Sequence, residues 1–211
     1  RIGFIAVLQQ YLNESTTLKE IMLALYYGIR ISLKSAGIIT LLAFLFSTLP
    51  NVIFSSNHLF NKVRIIFGYL SAGILSLLFI ARIPFYQEFH TAFNQFIFNT
   101  FKDDVSALLD TLVQQYHLPM RLLVSLLMAV LFGRLLQLIL ERKTYKMPQF
   151  SNWYKKLIFQ VGIVCTLALF MLFSRFGGSL TYGNSIHWEN AAMSRDEFLN
   201  EAILDDIQAL Y

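Results

Sequence analysis

Residues 122–140 read LLVSLLMAVLFGRLLQLIL, a run in which Arg134 is the only charged residue. Three further apolar runs cover residues 36–54, 65–85 and 157–173. The hydrocarbon core of a bilayer is about 30 Å thick and takes about 20 helical residues, so each run is long enough to cross it. In hydrocarbon, backbone groups must bond within their own helix. The sequence therefore predicts an all-α fold, a polytopic membrane helix bundle with four complete spans.

The composition agrees with a membrane protein. Of the 211 residues, 56% are hydrophobic and 14% are charged, and the mean hydropathy is +0.55, which is too apolar for an ordinary soluble domain. The net charge of +4 does not indicate nucleic acid as a partner, because the basic residues flank the spans. Cys165 is the only cysteine and lies within a span, which excludes an intrachain disulfide and a thiolate metal cluster.

The loop charges predict an orientation. The link between the last two runs is flanked by five basic residues and one acid: Arg142, Lys143, Lys146, Lys155 and Lys156 against Glu141. By the positive-inside rule this link is cytoplasmic. The loop 84–117 is acidic, so it faces outward, and so does the tail that starts at Arg175. Arg30 and Lys34 lie on the outward side of the first run, against the rule, which indicates a specific role for them.

The two ends of the chain extend this plan. The apolar stretch 2–8 is too short to span a membrane or to serve as a signal sequence. We expect it to be the exit end of a further, first helix, and an interfacial turn at a processed terminus is the alternative. The predicted organisation is a bundle over residues 1–174, with an amphipathic outer loop at 84–117, followed by an extracytoplasmic linker and helix over residues 175–211.

Small residues recur at helix-contact spacing on two spans, as Gly68, Ala72 and Ser76 and as Ser125, Ala129 and Gly133. Such stripes let helix backbones approach closely, so we expect a compact bundle. Arg134 and Gln137 are polar groups inside a span. We interpret them as packing and snorkelling side chains. A self-contained small transporter or channel component is the alternative, and it would require a polar path through the bundle.

Two segments of the outer loop predict helices that lie on the membrane. Their apolar stripes are Phe85, Phe89, Phe93, Phe96 and Ile97 in the first and Val105, Leu108, Leu109, Leu112 and Val113 in the second. Asp103 and Asp104 open the second at the positive end of its dipole. These helices form either a platform for lipid or another domain, or a cover over the bundle.

The tail changes to linker composition after the last span. Ser194 and Glu197 predict a capping box, and one apolar helix face then follows: Leu199, Ile203, Ile207 and Leu210. Nothing else in the sequence is an evident partner for this face. We therefore expect it to dock on a separate domain.

Catalytic motifs are absent from the sequence: it has no Walker loop, GxGxxG, HExxH or GxSxG pattern. The four histidines, at 58, 90, 117 and 187, lack the spacing of metal ligands. The acid pairs Asp103–Asp104 and Asp205–Asp206 are interpreted as helix caps and solvent-facing charges. No catalytic and no metal-binding residue is predicted in this chain.

Three stretches resemble the N-terminal membrane domain of the lipoteichoic acid synthase and phosphoglycerol transferase family, within the sulfatase and alkaline phosphatase superfamily. Residues 27–33, YGIRISL, resemble a Gly-Leu-Arg-Phe-Asp-Leu pattern, with Ser32 in place of the aspartate. The loop 84–119 contains Phe93-Asn94, Lys102-Asp103-Asp104 and QYHLP at 115–119. The tail 175–211 contains GSL at 178–180, NAA at 190–192, FLN at 198–200 and ALY at 209–211.

The resemblance implies a bacterial cytoplasmic membrane protein whose five helices anchor an extracytoplasmic catalytic domain. In that family this domain uses a threonine nucleophile and a divalent metal, commonly manganese, to transfer phosphoglycerol or a related head group from a phospholipid. None of that machinery matches a position in this chain, so no cofactor is expected here. The implied partners are membrane phospholipid and the protein's own catalytic domain. A phosphoethanolamine transferase is a related alternative.

An enzyme that attacks a lipid head group gains from being tethered at the membrane surface. We therefore expect Arg30, Lys34 and Arg175 to bind lipid phosphates, because guanidinium groups bind phosphate bidentately. The alternative is that these cations only anchor the ends of helices.

Overall fold

The computed structural model describes residues 1–50, 57–94, 105–142 and 150–209, and these residues form helices and loops without a β-strand. The helices are α1 (Ile2–Val7), α2 (Leu18–Ala43, continued by a π-helical turn at Phe44–Thr48), α3 (Asn57–Phe89), α4 (Val105–Gln114), α5 (Leu118–Arg142), α6 (Trp153–Arg175), α7 (Glu197–Ile203) and α8 (Asp206–Ala209). The predicted all-α fold is confirmed.

Four of these helices are long and apolar enough to cross a membrane: Leu18–Thr48, Leu59–Phe89, Leu118–Glu141 and Trp153–Arg175. The chain is thus a multi-pass membrane protein, as the apolar runs predict. The first span is longer than its run because α2 begins at a capping box. Thr17 Oγ1 accepts from the Glu20 amide at 3.3 Å, and Glu20 Oε2 accepts from the Thr17 amide at 2.8 Å.

The predicted small-residue stripes meet between α3 and α5. Ala72 and Ser76 of α3 are buried together with Ser125 and Ala129 of α5. A Cβ added to Gly133 would collide with the ring of Tyr69, so the glycine is required for the close approach. A second small-residue contact joins α2 to α6, where a Cβ on Gly37 would strike the side chain of Ser174. The expectation of a compact bundle is confirmed at these interfaces.

A cap covers one end of the bundle, and we define it as residues 1–17 together with 176–209. Its hydrophobic core brings α1 and α7 onto the ends of α2 and α3. Phe4, Leu199 and Ile203 are fully buried there, and the Phe4 ring lies 5.6 Å from that of Tyr86. We call this end of the bundle the cap end.

The apolar face of the tail helix packs within the cap and does not need a separate domain as its partner. The side chains of Leu199 and Ile203 pack against α1 and the bundle, so the expectation that this face lacks a partner in the chain is wrong. Leu210 lies outside the described residues. The predicted capping box is also displaced: Asp196 is the N-cap of α7 and accepts from the Leu199 amide at 3.3 Å. Ser194 instead accepts from the Asp196 amide at 3.1 Å.

The loop 84–117 only partly follows its prediction. Helix α3 continues through Pro84 to Phe89, so the first aromatic stripe extends a spanning helix and does not form a separate interfacial one. The Phe85 ring lies 4.7 Å from Phe89 and 5.2 Å from Phe93. The second predicted helix is present as α4, and residues 95–104, including Asp103 and Asp104, are outside the described part.

Candidate functional site

The end of α6 determines where the tail crosses the bundle. Gly177 and Gly178 take φ values of 63° and 86°, a left-handed conformation that glycine adopts without steric cost. The Gly178 amide donates to the Phe173 carbonyl at 2.8 Å. A Cβ on Gly177 would lie 2.8 Å from the Arg30 carbonyl oxygen. The two glycines therefore turn the chain off α6 and directly onto α2.

Two of the three predicted lipid-binding cations hold this turn. Arg30 Nε donates to the Gly177 carbonyl at 2.7 Å, and Arg30 Nη2 donates to the Asn184 carbonyl at 2.6 Å. One helical turn further, Lys34 Nζ donates to the Ile186 carbonyl. Because residues four apart share a helix face, both side chains reach the same segment of the tail.

Arg175 completes a group of three positive charges. Its side chain is exposed at the end of α6, and the charges that act on Lys34 are those of Arg175 and Arg30. In the described part of the chain, the only salt bridge joins Arg82 to Asp206, so no carboxylate pairs with any of the three. We refer to Arg30, Lys34 and Arg175 as the cation cluster. Whether these side chains bind phosphate stays a prediction.

The contact between Gly37 and Ser174 places the cation cluster near the cap end of the spans. The first span has 31 residues, a length of about 46 Å for a helix rising 1.5 Å per residue. This exceeds the hydrocarbon core by about 16 Å. Because the cap covers the first turns of α2, we expect this surplus to lie at the cap end and the cation cluster to lie near the head-group level.

A second polar network fastens the cap and was missed by the sequence interpretation. Asp205 accepts from Ser32 Oγ at 2.8 Å and from Ser35 Oγ at 2.7 Å. Arg1 Nη1 donates to Ser32 Oγ at 2.6 Å, and Gln208 Nε2 donates to the Ile31 carbonyl at 2.8 Å. Ser32, which stands where the resembling pattern has an aspartate, thus meets an aspartate supplied by the tail.

Arg82 is the buried centre of the same attachment. Its side chain lies 2.8 Å from Asp206 Oδ1, off the line of a hydrogen bond, and donates to the carbonyls of Glu201 at 2.5 Å and Leu204 at 3.1 Å. Burial raises the pKa of Asp206 and lowers that of the Arg1 guanidinium to about 10. The predicted cap is confirmed for Asp205, which accepts from the Ile207 amide at 3.1 Å at the start of α8. The interpretation of the pair as solvent-facing charges is wrong, because Asp205 also accepts from two serines of α2 and Asp206 pairs with Arg82. An arginine inside an apolar run was the signal that a partner was needed.

Polar side chains of α3 and α5 also bond to one another inside the bundle. Tyr69 Oη donates to Gln137 Oε1 at 3.0 Å, and Gln137 Nε2 donates to Glu141 at 2.7 Å. Within the described ranges no three His, Cys, Asp or Glu side chains lie close enough together to hold a metal ion.

No family model, curated protein or solved structure matches this chain.

Proposed function

We propose that this chain is the membrane domain of a phospholipid head-group transferase of the lipoteichoic acid synthase type. In this proposal it lies in a bacterial cytoplasmic membrane with the cap outside. The bundle anchors the protein's own catalytic domain, and the cation cluster holds lipid beside it. The divalent metal of the reaction belongs to that catalytic domain.

The observation that supports the proposal is the uncompensated charge of the cation cluster. Three cations lie close enough to act on one another electrostatically, and none has a carboxylate partner among the described residues. Arg30 retains Nη1, and Lys34 retains two donor protons beyond those used on tail carbonyls. A phosphate supplies the missing negative charge and accepts from guanidinium groups bidentately.

The docked tail adds a physical reason for a separate membrane domain. The cap fixes the tail against α2 and α3, so the attached catalytic site stays close to the bilayer surface. Tethering of this kind replaces a bimolecular encounter with a high effective concentration of lipid.

The test uses the full-length enzyme in proteoliposomes and follows diacylglycerol release from phosphatidylglycerol. Arg175→Gln is the informative variant because its side chain is exposed and makes no hydrogen bond within the described structure. We expect the lipid KM to rise several-fold. Arg30→Ala is less specific because it also removes two hydrogen bonds to the tail.

Arg134→Gln is the matched control, since Arg134 is exposed on α5 away from the cluster. It should leave the lipid KM unchanged. An Arg175→Gln enzyme with the wild-type KM would contradict the role of the cluster. If the gene continues past residue 211 but encodes no catalytic domain of the sulfatase and alkaline phosphatase superfamily, the transferase proposal would be contradicted.

A further inference from the structure

A cavity of about 430 Å³ lies between α3, α4 and α5 at the cap end. Most of its lining is apolar and includes Leu77, Phe85, Phe89, Phe93, Leu112 and Leu122. This size and lining are typical of small-molecule sites, which add a few polar groups to fix orientation. The cavity is separate from the cation cluster, which lies between α2 and α6.

Three polar side chains, Glu88, Tyr116 and Arg121, also line this cavity. Tyr116 Oη donates to Glu88 Oε2 at 2.6 Å, and this bond raises the pKa of Tyr116, so the hydroxyl stays a donor. Arg121 Nε donates to the Tyr116 carbonyl at 2.7 Å. Tyr116 thus contacts both the negative Glu88 and the positive Arg121. These two groups do not pair with each other, since the one ion pair among the described residues joins Arg82 to Asp206.

The Arg121 guanidinium is only partly used. Its Nη1 and Nη2 atoms make no hydrogen bond to the described chain, and the side chain is half-buried. The first turn of α5 holds it in place, because the His117 carbonyl accepts from the Arg121 amide at 3.2 Å. The arrangement leaves the two Nη atoms of Arg121, with their N–H donors, free to bind an anion at the edge of an apolar cavity.

The depth of the cavity indicates its occupant. Pro84 to Phe89 and Leu118 to Leu122 form the cap-end turns of two spanning helices. At this level acyl chains and head groups, rather than bulk water, surround the protein. An apolar cavity with a cation at this depth matches one amphiphile: an acyl chain with a phosphate at its end.

We propose that this cavity binds a membrane phospholipid. One acyl chain occupies the apolar part, the phosphate accepts from Arg121, and a donor on the head group, either ammonium or hydroxyl, meets Glu88. Phosphatidylethanolamine and phosphatidylglycerol supply such a donor, whereas the choline of phosphatidylcholine has no N–H or O–H. The binding does not depend on the transferase proposed above.

The test is native mass spectrometry of the 211-residue chain released from nanodiscs of each of these three lipids. We expect the two donor-bearing lipids to be retained about fivefold more than phosphatidylcholine. Arg121→Gln should reduce retention about tenfold, the scale of one charge-assisted hydrogen bond. Ala81→Phe should reduce it by filling the cavity, because Ala81 lines it.

Two matched controls on α5 separate this site from general lipid adhesion. Arg134→Gln removes a cation outside the cavity, and Leu126→Phe enlarges an exposed side chain outside it. Both should bind lipid like the wild type. Wild-type retention in either cavity variant, equal loss in the controls, or equal retention of the three lipids would overturn the proposal. The wild type, the cavity variants and the controls all carry the same cation cluster, so a difference in retention between them reports on the cavity.

Discussion

Replacing Arg82 with methionine should release the cap from the bundle. Arg82 is 4% exposed and connects α3 to three parts of the tail: the Asp206 carboxylate and the carbonyls of Glu201 and Leu204. Its guanidinium also lies 4.3 Å from the centre of the Phe4 ring. Methionine keeps most of the volume but none of the donors.

The expected loss comes from the partner left behind. A buried carboxylate without its cation costs about 3–5 kcal/mol, and the two carbonyls lose their donors as well. Removing both charges, as in Arg82→Met with Asp206→Leu, should recover much of this loss, because paired replacement by apolar groups is often nearly neutral. The single variant should therefore be less stable than the double variant.

Hydrogen exchange of the detergent-solubilised chain measures this directly. A loss of about 3 kcal/mol accelerates exchange from the opened cap by more than a hundredfold. We expect that acceleration in the α7 amides, with the α5 amides as an internal reference and Arg134→Met as the matched control. Exchange of α7 within about threefold of wild type, or a double variant worse than the single one, would refute the reasoning.

Gly133→Leu should separate α3 from α5 and lower the melting temperature, because even a Cβ there meets the Tyr69 ring, whereas a Cβ at Gly162 meets nothing within 4 Å and Gly162→Leu is the control. Equal melting of the two variants in detergent would contradict the close approach. His117→Val should cost about 1–2 kcal/mol in unfolding free energy and His117→Gly much less, because His117 has a φ of 50°. Indistinguishable denaturant midpoints would count against this. Thr17→Ala should cost about 1 kcal/mol of helix stability, seen as about fivefold faster exchange in the first turn of α2; unchanged exchange there would show that the capping box is dispensable.

The spans and the α3–α5 interface could be predicted because their signals are local. A run such as residues 122–140 is apolar regardless of what surrounds it, and the spacing of Ala72 and Ser76 places them on one helix face. The first apolar run begins at residue 36, which is 18 residues after α2 begins, because Arg30 and Lys34 interrupt the apolar pattern while the helix extends back to its cap at Thr17.

The cap could not be predicted because its contacts join distant parts of the chain. The face of Leu199 and Ile203 was correctly expected to be apolar, yet its partners are α1 and the end of α3. Asp206 next to Asp205 looks like an ordinary surface pair, and only the approach of Arg82 makes it a buried ion pair.

The sequence by itself determined that this is a helical membrane protein and located the four spans found among the described residues, because hydropathy and small-residue spacing act within each helix. Only the tertiary structure decided where the charges go. Arg30 bonds to a carbonyl 147 residues away, and Arg121 and Glu88 come to line one cavity only because three helices enclose it. The physical reason is that desolvated polar groups must find partners in space, and such partners are set by packing rather than by position along the chain.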